Sequence, residues 1–169
     1  MQDEQGRTQP PETGDERETL TGFLTFQRQT LEWKCRGLQD DQLRSRPIET
    51  TQISLLGLVR HMAEVERGWT RKGVEGGDVT YYWCTDEHPN AEFDDVATAD
   101  VAEAFDRWRA ECANTDAVIA GKDLTARFGS DPQWQTSIRW LLSHLIEEYA
   151  RHNGHADLIR EAIDGETGE

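Results

Sequence analysis

The chain has little basic charge and no long apolar run. Its 169 residues include 33 acidic side chains against 18 basic ones, which gives a formal net charge of −15. That charge has the wrong sign for a surface that binds nucleic-acid phosphates or anionic lipids. No apolar stretch approaches the roughly 18 residues that a membrane-spanning helix needs. The sequence therefore predicts a soluble protein that binds neither nucleic acid nor membrane.

Cysteine is also scarce. Cys35, Cys84 and Cys112 are odd in number and far apart, and no CxxC pair is present. This pattern gives no indication of a zinc knuckle or a redox motif. None of the three has a base at a readable spacing, so no nucleophile is assigned and the catalytic residues stay unknown. A reduced, cytoplasmic setting fits these cysteines best.

The length suits one domain with a core of its own. Residues 1–14 are polar, contain Pro10 and Pro11, and lack the apolar segment that a secretory signal needs. They are predicted to be disordered. Residues 15–165 are predicted to form the single domain.

Four segments carry helical periodicity, and no segment is a convincing strand. The predicted helices cover approximately residues 15–37, 54–73, 98–120 and 134–163. Asp15 and Ser54 are N-cap residue types at the start of the first two. Residues 76–95 contain a Gly-Gly pair, a proline and several acids, and they are interpreted as a long loop. The sequence thus predicts an all-α four-helix bundle with a long connection between its second and third helices.

The last predicted helix carries a polar cluster on one side. At about 100° per residue, His144, Glu148 and His152 are separated by roughly 40° steps, and His155 falls between the first two. Buried imidazoles and a carboxylate need partners, and a divalent cation is one way to satisfy them. A carboxylate–imidazole ladder that satisfies itself is the alternative. His88 is interpreted as an ordinary loop histidine.

His61 of the second predicted helix is the candidate for a ligand from another part of the bundle. It lies beside the apolar stripe of that helix and is therefore expected to point inward. The alternative to a metal ligand is a core histidine that is hydrogen-bonded. Glu148 and His152 are four residues apart, so one helix can offer both to the same ion. The set His61, Glu148 and His152 would leave coordination positions open for water or substrate.

Two histidines and one or both of two tryptophans are expected near this site. His144 is interpreted as a donor that orients Glu148, with direct ligation or exposure as alternatives, and His155 is given the same role from the other side. The tryptophans are interpreted as core residues, because aromatic side chains at helical spacing usually pack inside. Trp69 and Trp83 are the exceptions, as candidates for a pocket mouth.

Residues 54–66 and 137–158 carry a family resemblance. They resemble the DinB superfamily of metal-dependent four-helix proteins, in particular its actinobacterial mini-circle branch, and they are similar to the N-terminal domain of mycothiol-dependent maleylpyruvate isomerases. The resemblance covers about residues 16–165. It implies a DinB-like bundle in which His61 joins two last-helix residues, here Glu148 and His152, to hold a zinc, nickel or iron-type cation. Many relatives have histidine at the position of Glu148, whereas the isomerases carry glutamate there.

The resemblance also implies a function. Relatives include bacillithiol- or mycothiol-dependent thiol transferases and the iron-holding domains of sulfoxide synthases. The chain is therefore expected to be an enzyme that activates a water or a mycothiol-type thiol at a divalent cation, zinc before nickel or iron. Transfer, isomerisation or hydrolysis of a small molecule would all be compatible. The alternative is a non-catalytic metal- or small-molecule-binding stress protein. Homodimerisation through an outer helix face would fit either.

Overall fold

Four long helices form the body of the molecule, and the predicted all-α class is confirmed. The computed structural model describes residues 1–131, 133 and 135–168. The α-helices are α1 (Glu16–Cys35), α2 (Asp40–Arg44), α3 (Leu55–Arg67), α4 (Ala91–Asp94), α5 (Val101–Ala120) and α6 (Ile138–Asp164). A π-helical segment, Gly68–Val74, continues α3, and a 3-10 turn, Asp95–Thr98, follows α4.

Each long helix begins after a side chain that accepts a hydrogen bond from the first turn. The capping residues are Asp15, Ser54, Asp100 and Ser137. Such caps satisfy backbone N–H groups that have no partner within the helix. Local sequence therefore determines where α1, α3, α5 and α6 start.

The bundle is built from two main helix pairs. α1 packs most extensively against α6 and α3 against α5, and α3 also contacts α6 and α1. The interior is aliphatic, with leucines from α1, α3 and α6 that are almost fully buried: Leu24, Leu31, Leu55, Leu56, Leu58, Leu141, Leu142 and Leu145. This packing places α3 and α6 side by side, which is the arrangement that the candidate site requires.

A buried polar network ties the four long helices together. The fully buried carboxylate of Glu66 in α3 accepts two hydrogen bonds from Arg28 of α1, at 2.8 and 2.9 Å. It also accepts hydrogen bonds from Thr115 of α5 at 2.6 Å and from Tyr149 of α6 at 3.0 Å. The Tyr149 hydroxyl in turn accepts a hydrogen bond from the Trp108 indole at 2.7 Å. Because these hydrogen bonds anchor Tyr149, they fix the position of the neighbouring turn of α6 along α3.

The structure corrects three predicted boundaries. The stretch predicted as a loop contains α4. The second predicted helix changes to π geometry at Gly68. The last helix begins at Ile138 rather than near residue 134, which itself lies outside the described residues. Here Thr136–Ser137 (β2) pairs antiparallel with Arg127–Phe128 (β1), and this hairpin holds the chain extended up to the cap of α6.

The N-terminal segment lies against α1. The Arg7 guanidinium sits 4.6 Å from the ring centroids of both Phe26 and Trp33 and donates a hydrogen bond to Thr30 at 3.2 Å. The disorder expected of residues 1–14 stays a prediction. Within the part of the chain that the structure describes, no helix has both the length and the apolar content to cross a bilayer.

Candidate metal centre

Three side chains predicted as metal ligands converge between α3 and α6. His61, Glu148 and His152 each offer one ligand atom, and these atoms all lie within 4.8 Å of one another. Nε2 of His152 is 3.5 Å from Oε2 of Glu148. Two imidazoles and one carboxylate are a donor set that zinc and iron accept in proteins, and three such ligands leave coordination positions open. The residues therefore fit a divalent cation chemically.

His152 is the most deeply placed of the three. Burial, followed by the neighbouring imidazoles of His61 and His155, lowers the pKa of His152 to about 4. The ring is therefore neutral at pH 7, and a neutral imidazole has a lone pair to donate. The environment thus favours the protonation state that a metal ligand must have.

His144 lies beside Glu148, one turn earlier on α6. Its Nε2 is 3.5 Å from Oε1 of Glu148. Its ring stacks on that of Trp140, with centroids 4.8 Å apart, and meets Trp69 edge to face at the same centroid distance. Two tryptophans therefore hold this imidazole beside Glu148, and its role in orienting Glu148 stays a prediction.

A second acidic grouping adjoins the triad. His144, Glu147 and Glu148 also bring ligand atoms within 4.8 Å of one another. Glu147, however, is 48% exposed and forms an ion pair with Arg151 on the outer side of α6. Exposed carboxylates with a local partner gain little from a cation, so the triad with His61 is the better centre.

His155 also contacts His152, which in turn contacts Glu148. Its Nδ1 is 3.4 Å from Nδ1 of His152. The same ring lines a small cleft of about 240 Å³, whose other walls include Ile53 and Leu158. His155 therefore borders the triad and an apolar cleft together.

Glu92 of α4 contacts the centre and was missed by the sequence analysis. Its Oε1 lies 3.3 Å from Nδ1 of His61, and its Oε2 accepts a hydrogen bond from the Cys84 thiol at 2.6 Å. Burial by itself would raise the pKa of Glu92, but hydrogen bonds from His61 and Cys84 outweigh it and hold that pKa below the ordinary value. No periodicity could have identified Glu92, because it lies in the stretch interpreted as a loop.

A cavity of about 510 Å³ opens beside His61. Its lining combines apolar, aromatic and charged side chains: His61, Glu64, Val65, Trp69, Lys72, Tyr81, Cys84, Pro89 and Glu92, with Gly68 and Gly73. Trp69, a candidate for a pocket mouth, lines this cavity. The cavity is large enough for a small organic substrate.

Residues 82–84 of the long connection, next to this cavity, are hydrogen-bonded to Glu64 of α3. Glu64 accepts backbone hydrogen bonds from Tyr82 at 3.0 Å, Trp83 at 2.7 Å and Cys84 at 3.3 Å. Three N–H donors satisfy a buried carboxylate that would otherwise destabilise the fold. They also hold an irregular segment of the long connection against the site.

The prediction that most tryptophans form the core is wrong. Trp134 lies outside the described residues, and among the others only Trp108 is buried. Trp140 is 47% exposed and stacks on His144, while Trp83 faces the Arg60 guanidinium at 4.6 Å. One face of an indole ring can pack on apolar groups while the other face contacts a cation or another ring. Helical spacing therefore does not decide whether a tryptophan is buried.

A known protein family matches most of the chain. Residues 19–165 match the family model described as mycothiol-S-transferase. The matched region runs from the first turn of α1 to the residue after α6 and contains the whole triad. No curated protein matches the chain.

Proposed function

Because the chain belongs to the mycothiol-S-transferase family, we propose that it transfers the sulfur of mycothiol to a small electrophile beside a divalent cation, zinc in the first instance. His61, Glu148 and His152 would hold the cation. The observation that carries the proposal is the position of His61, which belongs to the triad and also lines the 510 Å³ cavity. A thiol bound in that cavity would lie next to the centre.

The cation would supply the activation of the thiol, which the side chains by themselves do not provide. An ordinary thiol, with a pKa of about 8.5 to 9, is mostly protonated at pH 7, and the thiolate is the nucleophile. A divalent cation acts as a Lewis acid that lowers the pKa of a thiol beside it. In the transfer, the thiol proton leaves to solvent and a sulfur electron pair forms the new carbon–sulfur bond. The leaving group departs with the electrons of the bond that breaks.

The cysteines of the chain itself are unsuited to this role. Burial raises the pKa of Cys35 and of Cys84 to about 12, and it raises that of Cys112 as well. All three therefore stay protonated at neutral pH and are poor nucleophiles. A reaction that needs a thiolate must take it from a second molecule, which supports an external thiol as the substrate.

The cavity walls supply the binding. Trp69 and Tyr81 offer aromatic surface, and Lys72 adds a basic side chain to the lining. Glu64 and Glu92 already accept hydrogen bonds, from backbone amides and from His61 and Cys84. Their acceptor atoms are engaged, so the substrate meets a largely apolar surface that also carries the Lys72 ammonium group, which lies 5.7 Å from the centroid of the Tyr81 ring.

The test is a conjugation assay with defined reactants. Protein freed of metal with a chelator and reloaded with zinc is mixed with mycothiol and 1-chloro-2,4-dinitrobenzene, and the thioether product is followed by absorbance. We expect product only with the zinc-loaded protein, and much less when glutathione or free cysteine replaces mycothiol. His61→Ala should lose the activity, and His88→Ala should keep it.

Two results would contradict the proposal. Equal rates with and without metal would show that the cation takes no part in the reaction. Stoichiometric zinc without conjugation, for this electrophile and for epoxide and maleate-type acceptors, would instead support a non-catalytic binding protein. The zinc content of each sample, measured in parallel, separates these results from simple failure to load.

A further inference from the structure

We infer that Glu92 is a positioning residue of the metal centre, which holds the proton of His61 on Nδ1 and so directs the Nε2 lone pair to the cation. The inference rests on the proposed use of the triad as a metal centre. Its structural basis is the 3.3 Å approach of Glu92 Oε1 to His61 Nδ1. The side chain of Glu92 is 7% exposed, so water competes little for this contact.

The direction of the hydrogen bond follows from the chemistry of the two groups. An ionised carboxylate only accepts hydrogen bonds, whereas a neutral imidazole donates from one nitrogen and accepts at the other. Nδ1 of His61 must therefore carry the proton when it bonds to Glu92. Nε2 is then the nitrogen that is left to bind a cation.

Glu92 is itself held from its other side. Its Oε2 accepts the hydrogen bond from the Cys84 thiol at 2.6 Å. The backbone N–H of Cys84 donates to Glu64, which lies on α3 one turn after His61. A continuous set of contacts thus begins and ends on α3, and it keeps the Glu92 carboxylate facing His61.

Helix α4, which carries Glu92, is docked closely on α3. The Phe93 ring lies 5.2 Å from the His61 ring, and a Cβ built at Gly57 would lie only 2.8 Å from Cδ1 of Phe93. On the opposite side, Arg46 donates a hydrogen bond to the Phe93 carbonyl at 2.7 Å. The short helix is therefore fixed by packing and by hydrogen bonding, which is what precise orientation of His61 requires.

The first measurement is zinc affinity, by competition with a chromophoric chelator. We expect Glu92→Ala to bind zinc about 10- to 100-fold more weakly than the wild type, the usual effect of removing the partner of a metal-bound histidine. Glu92→Gln keeps an acceptor oxygen and should recover most of that loss. Glu87→Gln removes one exposed charge from the same connection and should bind zinc like the wild type. Circular dichroism confirms that each variant is folded.

The second measurement reads the tautomer directly. Nitrogen-15 NMR of the histidine rings distinguishes an Nδ1–H from an Nε2–H imidazole. In the wild type, zinc-loaded or metal-free, His61 should carry its proton on Nδ1. In Glu92→Ala without metal, the Nε2–H form should become populated. A residue that only stabilised the fold would leave this ratio unchanged.

The outcomes separate the two proposals. If the wild type binds no zinc, the metal centre is wrong. If the wild type binds zinc and Glu92→Ala binds it equally well, or if His61 of the wild type carries its proton on Nε2, the positioning role of Glu92 is wrong and the metal centre stands.

Discussion

The rings of His61 and His152 meet edge to face, with centroids 4.7 Å apart and planes inclined at 70°. The two residues lie on α3 and α6, so their approach depends on the packing of the bundle. Glu148 lies one turn before His152 on the same helix face. A local pair on one helix and a single residue from another therefore make up the candidate centre.

Removal of either histidine should abolish metal retention. His61→Ala and His152→Ala each delete one of three ligands, and the remaining two should not hold zinc through dialysis against a weak chelator. His88→Ala is the matched control, because His88 is exposed in the long connection. Elemental analysis of the dialysed proteins measures the effect. Equal metal content in all three variants would show that the ion, if any, binds elsewhere.

The Cys84 thiol should be unusually slow to alkylate, although it lines the cavity. Burial and the Glu92 carboxylate raise its pKa to about 12. At pH 8 its thiolate fraction is then about a thousandfold smaller than that of a thiol with its ordinary value near 9, and iodoacetamide should react correspondingly slowly. The thiolate should appear only as the pH rises toward 12.

Mass spectrometry of the peptide that contains Cys84 gives the rate at several pH values. The same protein unfolded in urea is the control, since there the thiol returns to its ordinary pKa. Alkylation of native Cys84 at the unfolded rate at pH 8 would contradict the predicted environment.

Loss of the Glu66 carboxylate should destabilise the whole bundle. Glu66→Ala leaves the buried Arg28 without its main partner and removes the carboxylate to which Tyr149 and Thr115 donate. Breaking a buried pair in this way typically costs about 3–5 kcal/mol. Urea unfolding followed by circular dichroism measures the change. Glu32→Ala, which breaks the exposed pair with Arg109, should cost less than about 1 kcal/mol.

Two glycines in helices should respond in opposite ways to alanine. Gly154 in α6 is exposed and has no atom within 4 Å of a built Cβ, so Gly154→Ala should stabilise by about 0.5–1 kcal/mol. Gly57→Ala places its Cβ against Phe93, displaces α4 and should lower both stability and zinc affinity. Thermal unfolding and the chelator competition measure both changes. A stabilised Gly57→Ala variant would show that α4 is not docked as described.

Much of the fold was accessible from the sequence because its determinants are local. The starts of α1 and α3 follow from Asp15 and Ser54, whose side chains cap the next turn. The start of α6 was placed too early, because the pairing of Arg127–Phe128 with Thr136–Ser137 joins residues that periodicity does not relate. The π segment at Gly68 was missed for a similar reason, since residue spacing does not distinguish it from the α-helix it continues.

By itself, the sequence determined the four amphipathic helices and the common face of Glu148 and His152, because helix periodicity and the four-residue spacing act within one segment. It also indicated His61, through its place beside an apolar stripe. The contact of Glu92 with His61, the hydrogen bond from Cys84 to Glu92 and the stacking of Trp140 on His144 became visible once the helices were packed together. Contacts between segments depend on how the helices pack and on where an irregular connection is anchored, and neither is encoded in a local pattern.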